Sequence, residues 1–488
     1  MDTLFTENSF DLIVSTMVFS ELYSEERALA LYQIKKLLKP NGKLVIAVEV
    51  QPKNLIKRIT HFIVRLPLAI LTYIIAQTGT KPFKNISEEV TKSGFSIIEE
   101  ERSFLDSFVV LSANNSENIS HGKIDLPVAK RPTDDFSFVK TIWDYIGRWF
   151  PNPVEPGLRA IGNPDRNSPV LLTSNFHLTV RRVEKSLKNE NVFLLVAPSN
   201  GINVWCASEG GELNTHSVIT AIKTSRLTER VDHNKIILPQ FSASGINLEL
   251  LKKETGRKGF FGPAYSKNIP DYLGSHKTVF KNNRADFSFP FRLEMLLSMN
   301  FIIWVAIGLV TLFVAPNMLL AVSIYFWLAG FILYAGYPII LGKSGWLKAG
   351  ILSIIEIVLI AVYTFFIQKM PAFDKLGMMV ALSVINISLG FDLRGIVAGY
   401  PSEAEWLMKK FGMKSLGHIF SAEKETEGLI QQDINKCTNC RICLMVCPKG
   451  VFDIAENKDI RIKNRLECFA CNACVTQCPE NALILKNE

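Results

Sequence analysis

The chain has 488 residues, 48% of them hydrophobic and 20% charged, with a formal net charge of +8. That length corresponds to about three or four domains. The apolar fraction excludes a disordered or tail-like protein and points to soluble domains joined to a membrane segment. No Lys/Arg cluster accompanies an aromatic base-stacking platform, so no nucleic-acid partner is expected. Met1–Phe10 carries Asp2 and Glu7 and no basic region, which predicts a cytosolic start and not an export signal. Of nine cysteines, none precedes Cys206 and eight fall between Cys437 and Cys478. A disulfide framework would scatter them, so the clustering predicts a reducing compartment and metal chemistry.

In residues 1–113, Phe10–Ser15 predicts a strand and Tyr32–Leu38 a helix. Lys39-Pro40-Asn41-Gly42 predicts a turn, and Lys43–Ala47 a second strand. Gly94–Ile98 and Phe108–Leu111 supply two more. The run Leu38-Lys39-Pro40-Asn41-Gly42-Lys43-Leu44 resembles the second half of class I S-adenosylmethionine-dependent methyltransferases. Their Gly-rich cofactor loop should precede this region and is absent from the sequence, so the segment is expected to be truncated or vestigial. His61–Gln77 is apolar, but Arg65 and Pro67 favour a buried or interfacial helix over a span. Residues 114–149, polar and without a clear period as far as Asp135, read as a linker.

Residues 150–275 alternate short apolar runs with helical stretches. Val170–Thr173, Val192–Ala197, Val204–Ala207 and Ile236–Leu238 predict strands or strand ends, and Val180–Lys188 and Ser217–Thr228 predict helices. This alternation implies an α/β, Rossmann-like domain with a mostly parallel sheet. Cys206 can be read as a small buried hydrophobe or as a thiol near a helix N-terminus, activated as a metal ligand.

Residues 293–392 contain the runs Leu296–Ala315, Met318–Leu341, Leu347–Ile367 and the shorter Leu376–Phe391. A span needs about 20 apolar residues. Lys281, Arg284 and Arg292 precede the first run, Lys343 and Lys348 flank the second loop, and Arg394, Lys409, Lys410 and Lys414 follow the last. The positive-inside rule then predicts a helical bundle of about four spans in the inner (cytoplasmic) membrane, with lipid as a partner and soluble domains facing the cytoplasm. Glu356, in the middle of the third run, is either an intramembrane functional carboxyl or a protonated structural one.

After a connecting segment at 393–432, residues 433–488 hold two runs of C-x₂-C-x₂-C-x₃-C-P. The first is Cys437, Cys440, Cys443, Cys447 and Pro448; the second is Cys468, Cys471, Cys474, Cys478 and Pro479. Zinc takes four ligands from paired spacings, and triplets with a distant fourth suit iron–sulfur cubanes. The module resembles bacterial two-cluster ferredoxins of α+β fold. That resemblance implies two [4Fe-4S] clusters. One is held by Cys437, Cys440, Cys443 and Cys478, the other by Cys468, Cys471, Cys474 and Cys447.

Pro198-Ser199-Asn200-Gly201-Ile202-Asn203-Val204-Trp205-Cys206-Ala207 is similar to the cap-helix motif of the corrinoid protein of the mercury-methylating pair. That family is related to the corrinoid iron–sulfur protein of acetyl-CoA synthesis. Ile237–Gln240, Gly262-Pro263 and Ile269–Leu273 share the resemblance. The family has a corrinoid domain, then membrane spans, with a two-cluster ferredoxin as partner; this chain resembles a fusion of the two. The resemblance implies a cobalamin-type corrinoid with Cys206 as lower cobalt ligand. It implies a binding site from Asn203, Val204, Trp205, Ala207, Gln240, Ser244, Gly245, Gly262 and Pro263. It also implies a methyl-donor protein or methylated pterin, a soft metal such as Hg(II) or another methyl acceptor, and clusters that reduce the cobalt. Two departures follow. Glu209 and Glu212 stand near Cys206 and oppose its thiolate unless they face solvent. The stretch Asn481–Glu488 has no cysteine, although a soft ion is captured by thiols.

Overall fold

A computed structural model describes residues 5–76, 85–115, 138–148, 150–275, 288–341, 345–366, 371–390, 393, 430–468 and 470–485. The chain divides into two compact units, one of residues 1–130, 155–159 and 219–234, the other of 131–154, 160–218 and 235–488.

The first unit is built from β1 (Phe10–Thr16), α1 (Ser24–Leu37), β2 (Leu38–Glu49), α2 (Leu55–Ala76), α3 (Ile86–Lys92), β3 (Phe95–Ser103) and β4 (Phe108–Asn115). Its sheet has the order β1-β2-β4-β3. It is parallel at β1–β2 and antiparallel at the other two pairings. Leu44, Ile46 and Val48 alternate into the core with Val109, Leu111 and Ala113 opposite, the period of two that one buried face demands. The predicted strands are present. The predicted helix begins earlier, at Ser24, and the Lys39–Gly42 stretch lies within the β2 run instead of forming a separate turn. α2 contains Pro67. Its Arg65 and His61 turn toward Glu49 at 2.9 and 3.4 Å, while Ile56, Phe62 and Val64 are exposed. The helix is therefore not buried along these residues.

Much of the expected linker, with Lys281, Arg284, Arg394, Lys409, Lys410, Lys414 and most of the connecting segment, lies outside the described residues. Within the linker range, α4 (Phe138–Ile146) is helical. The second sheet has the order β5-β7-β6-β8-β9. Its strands are β5 (Gly157–Ile161), β6 (Val170–Ser174), β7 (Val192–Ala197), β8 (Lys235–Leu238) and β9 (Lys258–Phe261), with α5 (His177–Ser186) between β6 and β7. The β6–β7, β6–β8 and β8–β9 pairings are parallel. β6 and β7 are buried along their whole length, as strands covered on both faces must be. Val204–Ala207, predicted as a strand, is instead the start of α6 (Val204–Gly210). Asn203 caps its N-terminus, and Gly211, at φ +90°, ends it in the left-handed conformation, which glycine adopts without a Cβ clash. α7 (Thr215–Thr224) and α8 (Leu227–Arg230) lead to β8. α9 (Leu248–Thr255) leads to β9, and α10 (Ile269–Ser275) follows it.

Among the described residues, three helices are long and apolar enough to cross a membrane: α11 (Phe289–Val314), α12 (Leu319–Ala335, extended back to Pro316 by a 3-10 turn) and α13 (Gly345–Phe366). The fourth predicted span is α14 (Ala372–Gly390), whose apolar part, Lys375–Gly390, is shorter. Glu356 on α13 is buried. Its Oε2 accepts from Tyr325 Oη on α12 at 2.8 Å and from Asn386 Nδ2 on α14 at 2.7 Å. Three helices thus meet on one carboxyl. Glu294, near the start of α11, receives both Arg148 and Arg182.

The C-terminal module pairs β10 (Ile430–Gln432) with β13 (Leu483–Leu485) and β11 (Phe452–Ile454) with β12 (Ile460–Ile462), all antiparallel. Two short helices, Ile442–Val446 and Ala473–Thr476, complete it.

Candidate corrinoid and iron–sulfur sites

The residues singled out around Cys206 come from three separate loops, and all three leave the carboxyl ends of parallel strands. Pro198–Asn203 follows β7, Pro239–Ile246 follows β8, and Gly262-Pro263 follows β9. β6 and β8 are neighbours, and their connections diverge, from β6 toward β7 and from β8 toward β9. In open α/β sheets the crevice beside such a reversal is where ligands bind.

The loop that launches α6 is held by a residue the sequence did not single out. Asn175, fully buried immediately after β6, accepts at Oδ1 from the Ser199 and Gly201 backbone N–H groups, each at 2.9 Å, and from Ser199 Oγ at 2.8 Å. Its Nδ2 donates to the Val154 carbonyl at 3.0 Å. A lone Asn at a strand end carries no sequence signal, because its four bonds exist only once β6 and β7 are paired.

At the helix start, the Cys206 N–H donates to Asn203 Oδ1 at 3.0 Å, and Asn203 Nδ2 donates to Cys206 Sγ at 3.3 Å. The thiol is half-buried. Trp205 meets Phe241 edge-to-face at 5.6 Å, and Phe241 meets Tyr265 at 6.4 Å, so an aromatic row ties the three loops together. Gly245 is required by close approach, because a Cβ there would lie 2.4 Å from the Leu213 carbonyl. Gly262 is packed against Ile237 in the same way. Val204, Ala207 and Pro263 are buried, and Trp205 is half-buried.

Gln240 fits a ligand-binding role. It is only 1% exposed, yet neither its amide nitrogen nor its amide oxygen has a hydrogen-bond partner. Ser208 Oγ and Ser244 Oγ are also buried and unpaired. Buried polar atoms are nearly always satisfied, so this group of open donors and acceptors suits the amide-rimmed periphery of a corrin. Glu209 and Glu212 do not simply face solvent. Both have a buried carboxylate oxygen, and burial pushes the Glu212 carboxyl up to about 7.

In the C-terminal module the eight thiols surround two voids. One is lined by Cys437, Cys440, Cys443, Cys474 and Cys478, the other by Cys447, Cys468, Cys471 and Cys474, so that Cys474 borders both. The fourth cysteine of each run thus reaches across to the opposite set. Among the described residues no three His, Cys, Asp or Glu side chains converge on a single-ion point. Thiols spread around a void suit a cubane better than zinc. Burial pushes the Cys443 thiol up to about 12 and holds Cys471 and Cys474 well above the usual range. Loading iron therefore releases protons. Hydrogen bonds to sulfur come from the Val451 N–H to Cys447 at 3.4 Å and the Ala482 N–H to Cys478 at 3.2 Å.

Residues 144–273 match the family described as CO dehydrogenase/acetyl-CoA synthase delta subunit. Residues 436–483 match the 4Fe-4S dicluster domain, and residues 1–46 match a methyltransferase domain. Among curated proteins the chain is similar to the acetyl-CoA decarbonylase/synthase complex subunit gamma of Methanothermobacter thermautotrophicus, 39% identical over 125 residues, 25% of this chain and 27% of that one. The subunit of the same name from Methanocaldococcus jannaschii is 38% identical over 125 residues, 25% of each chain. The chain thus spans about a quarter of the length of these relatives. Among solved structures, a 1,6-didemethyltoxoflavin-N1-methyltransferase of Burkholderia thailandensis is 16% identical, covering 24% of this chain and 47% of that one, with a TM-score of 0.18. A SAM-dependent methyltransferase of Methanosarcina mazei is 15% identical, covering 24% and 63%, also with a TM-score of 0.18. Scores this low do not assign a fold.

Proposed function

We propose that this chain is a membrane-anchored corrinoid-dependent methyl-transfer protein, served by its own two-cluster ferredoxin, with Hg(II) as the first acceptor to test. The observation that carries the reading is the pairing of Cys206, on a capped helix at the carboxyl edge of the sheet, with the buried, unbonded Gln240 amide one loop away. The match of this region to a corrinoid-subunit family supports it.

When bound, the corrinoid supplies a cobalt centre that carries a methyl group and gives it up. Cys206 would hold that centre as a strong electron-donating ligand. Asn203 fixes the sulfur through the helix cap and the Nδ2 donor. Gln240, Ser208 and Ser244 would meet polar groups at the ring's edge. The Trp205–Phe241–Tyr265 row packs apolar surface around the crevice. α11–α13 would anchor the chain in the inner membrane, with the soluble modules on the cytoplasmic face and α2 lying along the interface. The methyl donor would be a protein or a methylated pterin. Eight of the nine cysteines surround the cluster voids and the ninth is Cys206. No thiol in this sequence is left over for capturing mercury, so a different soft acceptor is the second reading.

The test is metal content and visible spectrum of anaerobically purified protein reconstituted with cobalamin, wild type beside Cys206→Ala. One cobalt and about eight irons, with a thiolate-type spectrum lost in the variant, is the expected result. Iron without cobalt overturns the proposal and leaves a membrane electron-transfer protein with a degenerate corrinoid domain. Cobalt-loaded protein that forms no methylmercury from Hg(II) and a methyl donor removes mercury as the acceptor.

A further inference from the structure

Gln477 belongs to the ferredoxin module by sequence, immediately before Cys478, but its side chain is spent elsewhere. It is 6% exposed, and its Nε2 donates to the Ala243 carbonyl at 2.7 Å and the Ile246 carbonyl at 2.6 Å. A primary amide has two N–H donors, and both are used on one loop more than two hundred residues away. That loop carries Gln240, Ser244 and Gly245. The neighbouring turn Gln240–Ser242 is packed by the ferredoxin helix Ile442–Val446.

We propose that Gln477 is a positioning residue that latches the ferredoxin module onto the Ala243–Ile246 loop. The latch itself does not rest on the function proposed above; its effect on cobalt reduction does.

The test uses the full chain with its clusters loaded. Gln477→Glu keeps the size and removes both donors, and Gln477→Leu removes them without adding charge. Iron content and cluster signals should match wild type in both. In corrinoid-free protein, amide exchange across residues 240–250 should accelerate about ten-fold or more, because two buried carbonyls lose their donors. Unchanged exchange in both variants overturns the latch, whether or not the protein binds cobalamin. In cobalamin-loaded protein, cobalt reduction by pre-reduced clusters should slow by a similar factor, and an unchanged rate overturns the positioning role.

Discussion

Asn203 and Cys206 engage each other in both directions: the Cys206 backbone donates to the Asn203 side chain, and that side chain donates back to the Cys206 sulfur. The helix cap and the thiol's hydrogen bond are thus one residue's work. Asn203→Ala should cost about 1 kcal/mol of stability, the usual worth of a cap. Asn203→Asp should keep the cap but set a carboxylate against the sulfur in place of a donor. Alkylation of Cys206 at pH 8, in protein whose other thiols hold iron, should be slower in Asn203→Asp than in wild type. Equal rates would show that the sulfur contact has no influence on the thiolate.

The Glu212 carboxyl predicts a pH dependence. Its value in the folded protein is about 7 against an ordinary 4.5, so the fold binds this proton more tightly than the unfolded chain does. The resulting stabilisation is complete below pH 4.5 and is lost as pH rises through 7. Glu212→Gln should match wild type at pH 5 and exceed it at pH 8 by about 1 kcal/mol, after discounting for partial exposure. Urea midpoints at the two pH values decide this.

The crossed ligand sets can be checked one cysteine at a time. Cys447→Ser should remove the cluster of Cys468, Cys471 and Cys474, and Cys478→Ser that of Cys437, Cys440 and Cys443. Each should cost about half the iron. If either variant lost the cluster of its own run, the crossed arrangement would be wrong.

Within α12, α13 and α14, the bonds from Tyr325 and Asn386 to Glu356 tie three helices. Glu356→Gln keeps a carbonyl acceptor there and should unfold in detergent within about 0.5 kcal/mol of wild type. Asn386→Leu should lose about 1 kcal/mol. A Glu356→Gln variant that is equally stable but inactive would assign this carboxyl a functional role.

The sheet of the second unit was legible where apolar runs are continuous, at Val192–Ala197 and Ile236–Leu238, because strands buried on both faces leave that signature. Val204–Ala207 was misread for the same reason. A four-residue apolar run does not distinguish strand from helix; Asn203 before it and Gly211 after it did. β5 escaped because Arg159 interrupts it, fully buried though it is. The two cysteine runs were legible as a 4Fe-4S module, since their spacing is local in sequence. Asn175 and Gln477 were illegible, because their partners are set only by tertiary structure.

Glu294 shares its carboxylate between Arg148, just beyond α4, and Arg182, on α5. One anchor point would leave the soluble module free to swivel on α11, whereas two arginines from different elements fix its heading. Under the proposed function, with α11 set in a bilayer, the crevice at the carboxyl edge of the sheet would keep one inclination to the membrane plane, and a methyl donor would meet it in one orientation.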